Sequence, residues 1–132
     1  MATRSKKKEY PLRWVVESLE EERSYFEKTM FGCLAVYLHG RLSLLLTSGE
    51  EPWNGLLIPT DHQFHESILK DFKDVVQHSV LKKWLYLAES SENFEAVAQD
   101  IVETIRINDL RFGVEPKERV KGKRSAKSKI DL

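Results

Sequence analysis

The sequence predicts a two-layer α+β fold, in which a mostly antiparallel sheet is packed by helices and followed by a flexible basic carboxy-terminal tail. Three observations carry that prediction. Residues 33–38 and 41–47 are apolar and strand-like and flank His39-Gly40, a two-residue hairpin connection; glycine tolerates the positive φ such turns need, and histidine fits less well than asparagine or aspartate. Phe94, Val97, Ala98, Ile101, Val102 and Ile105 recur at three- and four-residue spacing, the mark of a helix with one buried face. The chain has 132 residues, 41% hydrophobic and 32% charged, with a single cysteine, so one domain must cohere by apolar packing without an internal disulfide.

Each element follows from its local chemistry. Pro11 suits the first turn of a helix, where its missing N–H costs nothing. From Leu12, the side chains of Val15, Val16 and Leu19 share one helical face and Glu17, Glu20, Glu21 and Glu22 take much of the rest, so the first helix runs from about Leu12 into the glutamates. Phe26 and Met30 fit the continuing helical stripe but also, with Lys28, the two-residue strand period; the sequence leaves that segment open. In the hairpin, the returning strand is apolar at Leu42, Leu44 and Leu46 on one face, with Leu45 on the other, and a sheet covered on one side is the economical reading. Residues 50–55 read as loop, and Leu56, Leu57 and Ile58 as a short strand ended by Pro59. Thr60 and Gln63 match a capping box for a short second helix with Phe64, Ile68, Leu69 and Phe72 on its apolar face. Residues 75–80 have no clear period and 84–87 resemble another strand. Ser90 or Ser91 is placed to cap the last helix, whose apolar stripe makes sense only against another surface, the sheet.

The formal net charge is zero, yet the charges are segregated. Residues 14–112 carry nine basic and seventeen acidic groups, net −8, while residues 1–13 and 113–132 are each net +4. Residues 1–11 therefore read as a flexible basic leader, 12–112 as the single folded domain and 113–132 as a basic tail too poor in large apolar side chains to offset the entropy of ordering. Its cations, Lys117, Arg119, Lys121, Lys123, Arg124, Lys127 and Lys129, could neutralise phosphates without a preformed pocket, which admits weak non-specific nucleic-acid contact. Trp14, Trp53 and Trp84 form no stacking motif with them. No apolar run approaches the roughly 20 residues of a membrane span, and no secretory core follows the basic start, so a cytoplasmic protein is expected.

The candidate chemistry is thin. His62 and His65 are three apart on a helix, with Asp61 and Glu66 near enough to complete a metal or acid–base site, but spacing supplies two ligands at best and a solvent-facing helix start explains the same residues. His39 or His78 would contribute only through contacts made on folding. Cys33, set in Phe31-Gly32-Cys33-Leu34, reads as a small buried strand residue before it reads as a nucleophile. Asp71 with Asp74, or Glu20, Glu21 and Glu22, could be imagined as paired glycosidase carboxylates, though such groups are common on solvated helices. Neither the phosphate-cradling glycine–lysine loop nor the dinucleotide glycine fingerprint is present. No catalytic, cofactor-binding or metal-binding residue is assigned.

Residues 30–42, Met-Phe-Gly-Cys-Leu-Ala-Val-Tyr-Leu-His-Gly-Arg-Leu, resemble the amino-terminal domain family of the competence regulator TfoX, whose members show Met-Phe-Gly, a short strand, a glycine turn and a second strand. The likeness is strongest over 30–47, and the later order of elements is compatible to about Phe112. It implies a small bacterial α+β domain standing alone, with a regulatory role and no catalytic residue to carry over; Cys33 stands where relatives use a small residue such as glycine. The expectation is a non-enzymatic regulatory or protein-interaction module with a protein partner or self-association, ahead of a nucleic-acid-associated protein and a small metal-assisted enzyme.

Overall fold

The computed structural model describes residues 10–116. A 3-10 helix, Arg13–Leu19, precedes β1 (Phe26–Met30), β2 (Cys33–Leu38), β3 (Arg41–Ser48) and β4 (Asn54–Ile58); a 3-10 turn, His62–Phe64, leads into α1 (His65–Asp71), and β5 (Val76–Gln77), β6 (Leu85–Ala88) and α2 (Phe94–Arg106) complete the order. All strand pairs are antiparallel, in the order β1-β2-β3-β4-β6-β5. The α+β fold class is thus as expected.

The segment left open by periodicity, Phe26–Met30, is a strand, and pairing with β2 decides it: Met30 opposes Cys33 and Phe26 opposes Tyr37. That register makes Phe31-Gly32 a two-residue turn, with φ of 53° and 79°, matching His39-Gly40 at 55° and 77°. Both are turns of the kind that follows the twist of the flanking strands. The expected first helix is a 3-10 helix that ends at Leu19, before the glutamates are passed.

Two expected caps are absent. Thr60 donates its hydroxyl to the Arg111 carbonyl at 2.6 Å instead of capping a helix, and Asp61 precedes the 3-10 turn without a side-chain cap. Ser91 Oγ donates to Asp74 Oδ2 at 2.5 Å, so α2 begins at Phe94 behind Asn93. In both places tertiary partners outcompete the local bond that a capping rule anticipates.

The apolar stripe of α2 packs as expected against the inner face of the sheet, where Leu34, Val36, Leu44, Leu46, Leu56, Ile58, Leu85 and Leu87 meet Val15, Val16 and Leu19 of the first helix and Ile68 and Phe72 at α1. Fully burying one such side chain is worth about 1.5–3 kcal/mol, and this shared surface fixes which face of the sheet turns inward.

The sheet is not apolar on that face alone. Cys33, Ala35, Tyr37, Leu42, Leu45, Leu57 and Tyr86 form a second buried cluster on the outer face, with Met30, Trp53, Leu81, Trp84 and Val114 packed against it. Leu42 belongs here, not with Leu44 and Leu46, because Leu44 opposes Val36 and Leu42 opposes Tyr37, leaving Ser43 as an extra residue. One inserted residue reverses the in–out alternation of a strand.

The packed body reaches slightly beyond the expected limits of 12 and 112. Tyr10 is buried, and Val114 exchanges backbone hydrogen bonds with Leu42 at 2.9 and 3.0 Å. The basic leader before Tyr10 and the cations from Lys117 onward lie outside the described residues.

Candidate interaction surface

The residues singled out for chemistry do not converge. His62 and His65 are neighbours, ring centroids 4.9 Å apart, but His65 Nε2 lies 2.8 Å from the Lys83 carbonyl and Asp61 pairs with Lys83 Nζ at 3.3 Å; Glu66 is exposed. Among the described residues no group of three or more His, Cys, Asp or Glu side chains is placed to hold a metal ion. Cys33 is buried on the outer face with its thiol directed to the Phe31 carbonyl at 3.7 Å. Asp71 pairs with Arg111 at 2.8 Å, whereas Asp74 accepts from Ser91 and Asn93, which hold its carboxyl below the usual range. Glu20 pairs with Arg13 and Glu22 with Arg106. His39 sits on its turn, 3.0 Å from the Arg106 carbonyl.

Of the four histidines, His78 alone is buried, with no exposed area. Its Nδ1 receives the backbone N–H groups of Val80 and Leu81 at 3.0 and 2.8 Å, so that nitrogen must carry the lone pair. Nε2 therefore carries the proton and donates it to the Pro52 carbonyl at 3.0 Å. The ring lies 4.6 Å from Trp53 and 5.5 Å from Tyr86, and burial pushes its pKa down, opposed by the bond to Pro52. Tyr86 in turn donates its phenol to Asn54 Oδ1.

What the fold does assemble is a cleft on the outer face. Its walls are Met30 from the edge strand, Arg41 and Leu42 from β3, Asp61, Lys83 and Trp84 before β6, and Gly113, Val114, Glu115 and Pro116; its volume is about 530 Å³, within the range of ligand and peptide pockets. Three of its four charged side chains are engaged within the wall, Arg41 Nη2 donating to the Gly113 carbonyl at 2.6 Å and Lys83 pairing with Asp61, while Glu115 adds a carboxylate to the lining. What remains for a visitor is mainly the apolar lining.

Beside Met30, Phe31 forms the tip of the β1–β2 hairpin with 93% of its surface exposed, and Phe26 at the other end of β1 is 55% exposed. An aromatic side chain at positive φ is disfavoured by its own Cβ. Here it costs conformational energy without any burial to offset it. This surface is not legible from the sequence, because residues 26–30 fit a helical stripe and a strand period alike. Once they are assigned to a strand, an aromatic residue directly before Gly32 becomes the tip of a two-residue turn, the one signal that could have found it.

No protein-family model, curated protein or solved structure matches the chain.

Proposed function

We propose that this chain is a non-enzymatic protein-interaction module, of regulatory type, that engages its partner through the β1–β2 hairpin tip and the adjoining outer-face cleft. The observation that carries the reading is Phe31: a fully presented aromatic in a disfavoured backbone conformation, next to a mainly apolar cleft in which Arg41, Lys83 and Asp61 are engaged within the wall. Large aromatics that become buried on association supply much of the energy of a protein interface. The resemblance of residues 30–47 to the TfoX amino-terminal domain family supports the same reading, since that segment contains the hairpin tip.

The runner-up, nucleic-acid contact through the basic tail, rests on residues outside those described; the described body has an excess of acidic side chains, which repel phosphates. A photoreactive phenylalanine analogue at position 31, introduced in the source cells, tests the proposal. A discrete protein adduct is expected, and the purified partner should bind a Phe31→Ser chain at least tenfold more weakly. Absence of any protein adduct, or an unchanged affinity, would overturn it; a nucleic-acid adduct would favour the runner-up.

A further inference from the structure

The loop that forms one wall of the cleft closes around a buried imidazole, with Gln77 Nε2 donating to the Lys82 carbonyl at 2.7 Å and His65 Nε2 meeting the Lys83 carbonyl at 2.8 Å. His78 N donates to the Trp84 carbonyl at 3.0 Å and Trp84 N donates to the Leu81 carbonyl at 2.8 Å, so residues 78–84 close on themselves. The His78 ring fills that closure: Nδ1 takes the Val80 and Leu81 N–H groups, and Nε2–H ties the loop to Pro52 in the β3–β4 connection. Lys83 and Trp84, at the end of the same loop, line the cleft.

We propose that His78 is a proton-operated clasp, which holds the Lys83–Trp84 wall of the cleft when neutral and releases it when protonated. The chemistry is one of hydrogen-bond polarity. Both donors that meet Nδ1 are backbone N–H groups and cannot reverse, so a proton on Nδ1 places three donors together and removes the acceptor that two of them need. The ring's hydrogen bonds all go to backbone groups, none to a carboxylate. Tyr86 of β6 faces the ring with an uncharged phenol, and Glu51, beside Pro52, acts on Tyr86; burial raises that phenol's pKa and Glu51 adds to the rise. Lys82 and Lys83 in the loop are cationic. From α1, His65 Nε2 donates to the Lys83 carbonyl, a bond made at the far end of the loop from the His78 ring. Asp61 is paired to Lys83 at the far end. The burial that lowers the imidazole's affinity for protons in the closed loop is relieved once the loop opens, and opening is thereby coupled to proton uptake.

This clasp does not depend on the cleft having a protein partner. The test is residue-resolved amide hydrogen exchange on the full chain between pH 7.5 and 5, corrected for the intrinsic pH dependence of exchange. Protection of Val80 and Leu81 should fall below about pH 6.5, approaching tenfold per pH unit, in an opening that low denaturant does not accelerate. His78→Asn, which retains a carbonyl acceptor and cannot titrate, should give a flat profile; His65→Gln should leave the wild-type profile intact. The proposal is overturned if Val80 and Leu81 protection is flat in the wild type. It is overturned equally if their exchange follows denaturant together with α2, showing only global unfolding, or if the Asn variant keeps the wild-type slope.

Discussion

Arg13 and Glu27 meet through two hydrogen bonds of 2.9 Å each, guanidinium to carboxylate, and so fasten the first helix to the edge strand across fourteen residues of chain. Tyr25 adds its hydroxyl to the same carboxylate at 2.7 Å, and burial followed by that bond raises the phenol's pKa. A parallel pair of charge-assisted bonds has the geometry that makes arginine hard to replace by lysine. The pair is partly open to solvent, with side-chain exposures of 37% and 25%, so screening limits its worth. A double-mutant cycle of Arg13→Ala and Glu27→Ala in urea should return a coupling of about 1 kcal/mol, reduced in high salt. A coupling indistinguishable from zero at low salt would show that the helix is held by its packing, through Val15, Val16, Leu19 and the Trp14–Phe94 contact, and not by this pair.

Two glycines at positive φ should respond very differently to alanine. A Cβ at Gly55 would stand 2.1 Å from the Leu87 carbonyl oxygen and 2.8 Å from the Glu89 nitrogen, which is backbone against backbone. Neither atom can move without parting β4 from β6, and a loss of about 3 kcal/mol or more is expected. At Gly32 a Cβ meets nothing within 4 Å, so only the backbone preference acts, on the order of 1–2 kcal/mol. Denaturant midpoints of the two variants should therefore differ clearly, and equal midpoints would mean that the β4–β6 contact yields.

The contrast also shows where sequence reasoning reaches and where it stops. The limits of β2 and the stripe of α2 were legible because each is a local period: six consecutive apolar residues before His39-Gly40, and an i, i+3, i+4 pattern from Phe94 to Ile105. The face of Leu42 was not, because the Ser43 bulge exists only relative to β2. The Thr60 and Ser91 caps failed for a related reason, since Arg111 and Asp74 lie 51 and 17 residues away. β5, two residues long, has no period to detect. The cleft was illegible as a site because its walls come from five separate stretches of chain. Only its neighbour Phe31 left a trace in the sequence, as an aromatic residue before a turn glycine.

If the outer face is a second core and not a decorated solvent face, Leu45 and Leu57 should behave like inner-face leucines. They oppose each other across β3 and β4 and are almost fully buried. Leu45→Ala and Leu57→Ala should each cost about 2–5 kcal/mol, as should Leu56→Ala on the inner face. Because Leu45 and Leu57 share one cluster, their double variant should be non-additive, the second truncation costing less in a cavity already opened. Losses below 1 kcal/mol for both would assign the face to solvent.

Acid should reduce stability in two separate pH windows, and the sign follows from which state binds the proton more readily. His78 has a folded pKa below its ordinary value, so the unfolded chain protonates first; its contribution is complete above about pH 6.5 and declines as pH falls below that, at up to about 1.4 kcal/mol per pH unit until the folded pKa is passed. Asp109 is also depressed, chiefly by the hydrogen bond from the Arg111 side chain, and Asp74 by Ser91 and Asn93. Their contributions are complete above the usual carboxylate range and disappear only as pH falls through their lowered folded values, in a window well below that of His78. Urea unfolding between pH 7.5 and 3 should therefore show an early decline that His78→Asn removes and a later one that Arg111→Met weakens by releasing Asp109. Stability constant from pH 7 to 5 in the wild type would refute the histidine assignment, and an unchanged late decline in the Arg111 variant would refute the carboxylate one.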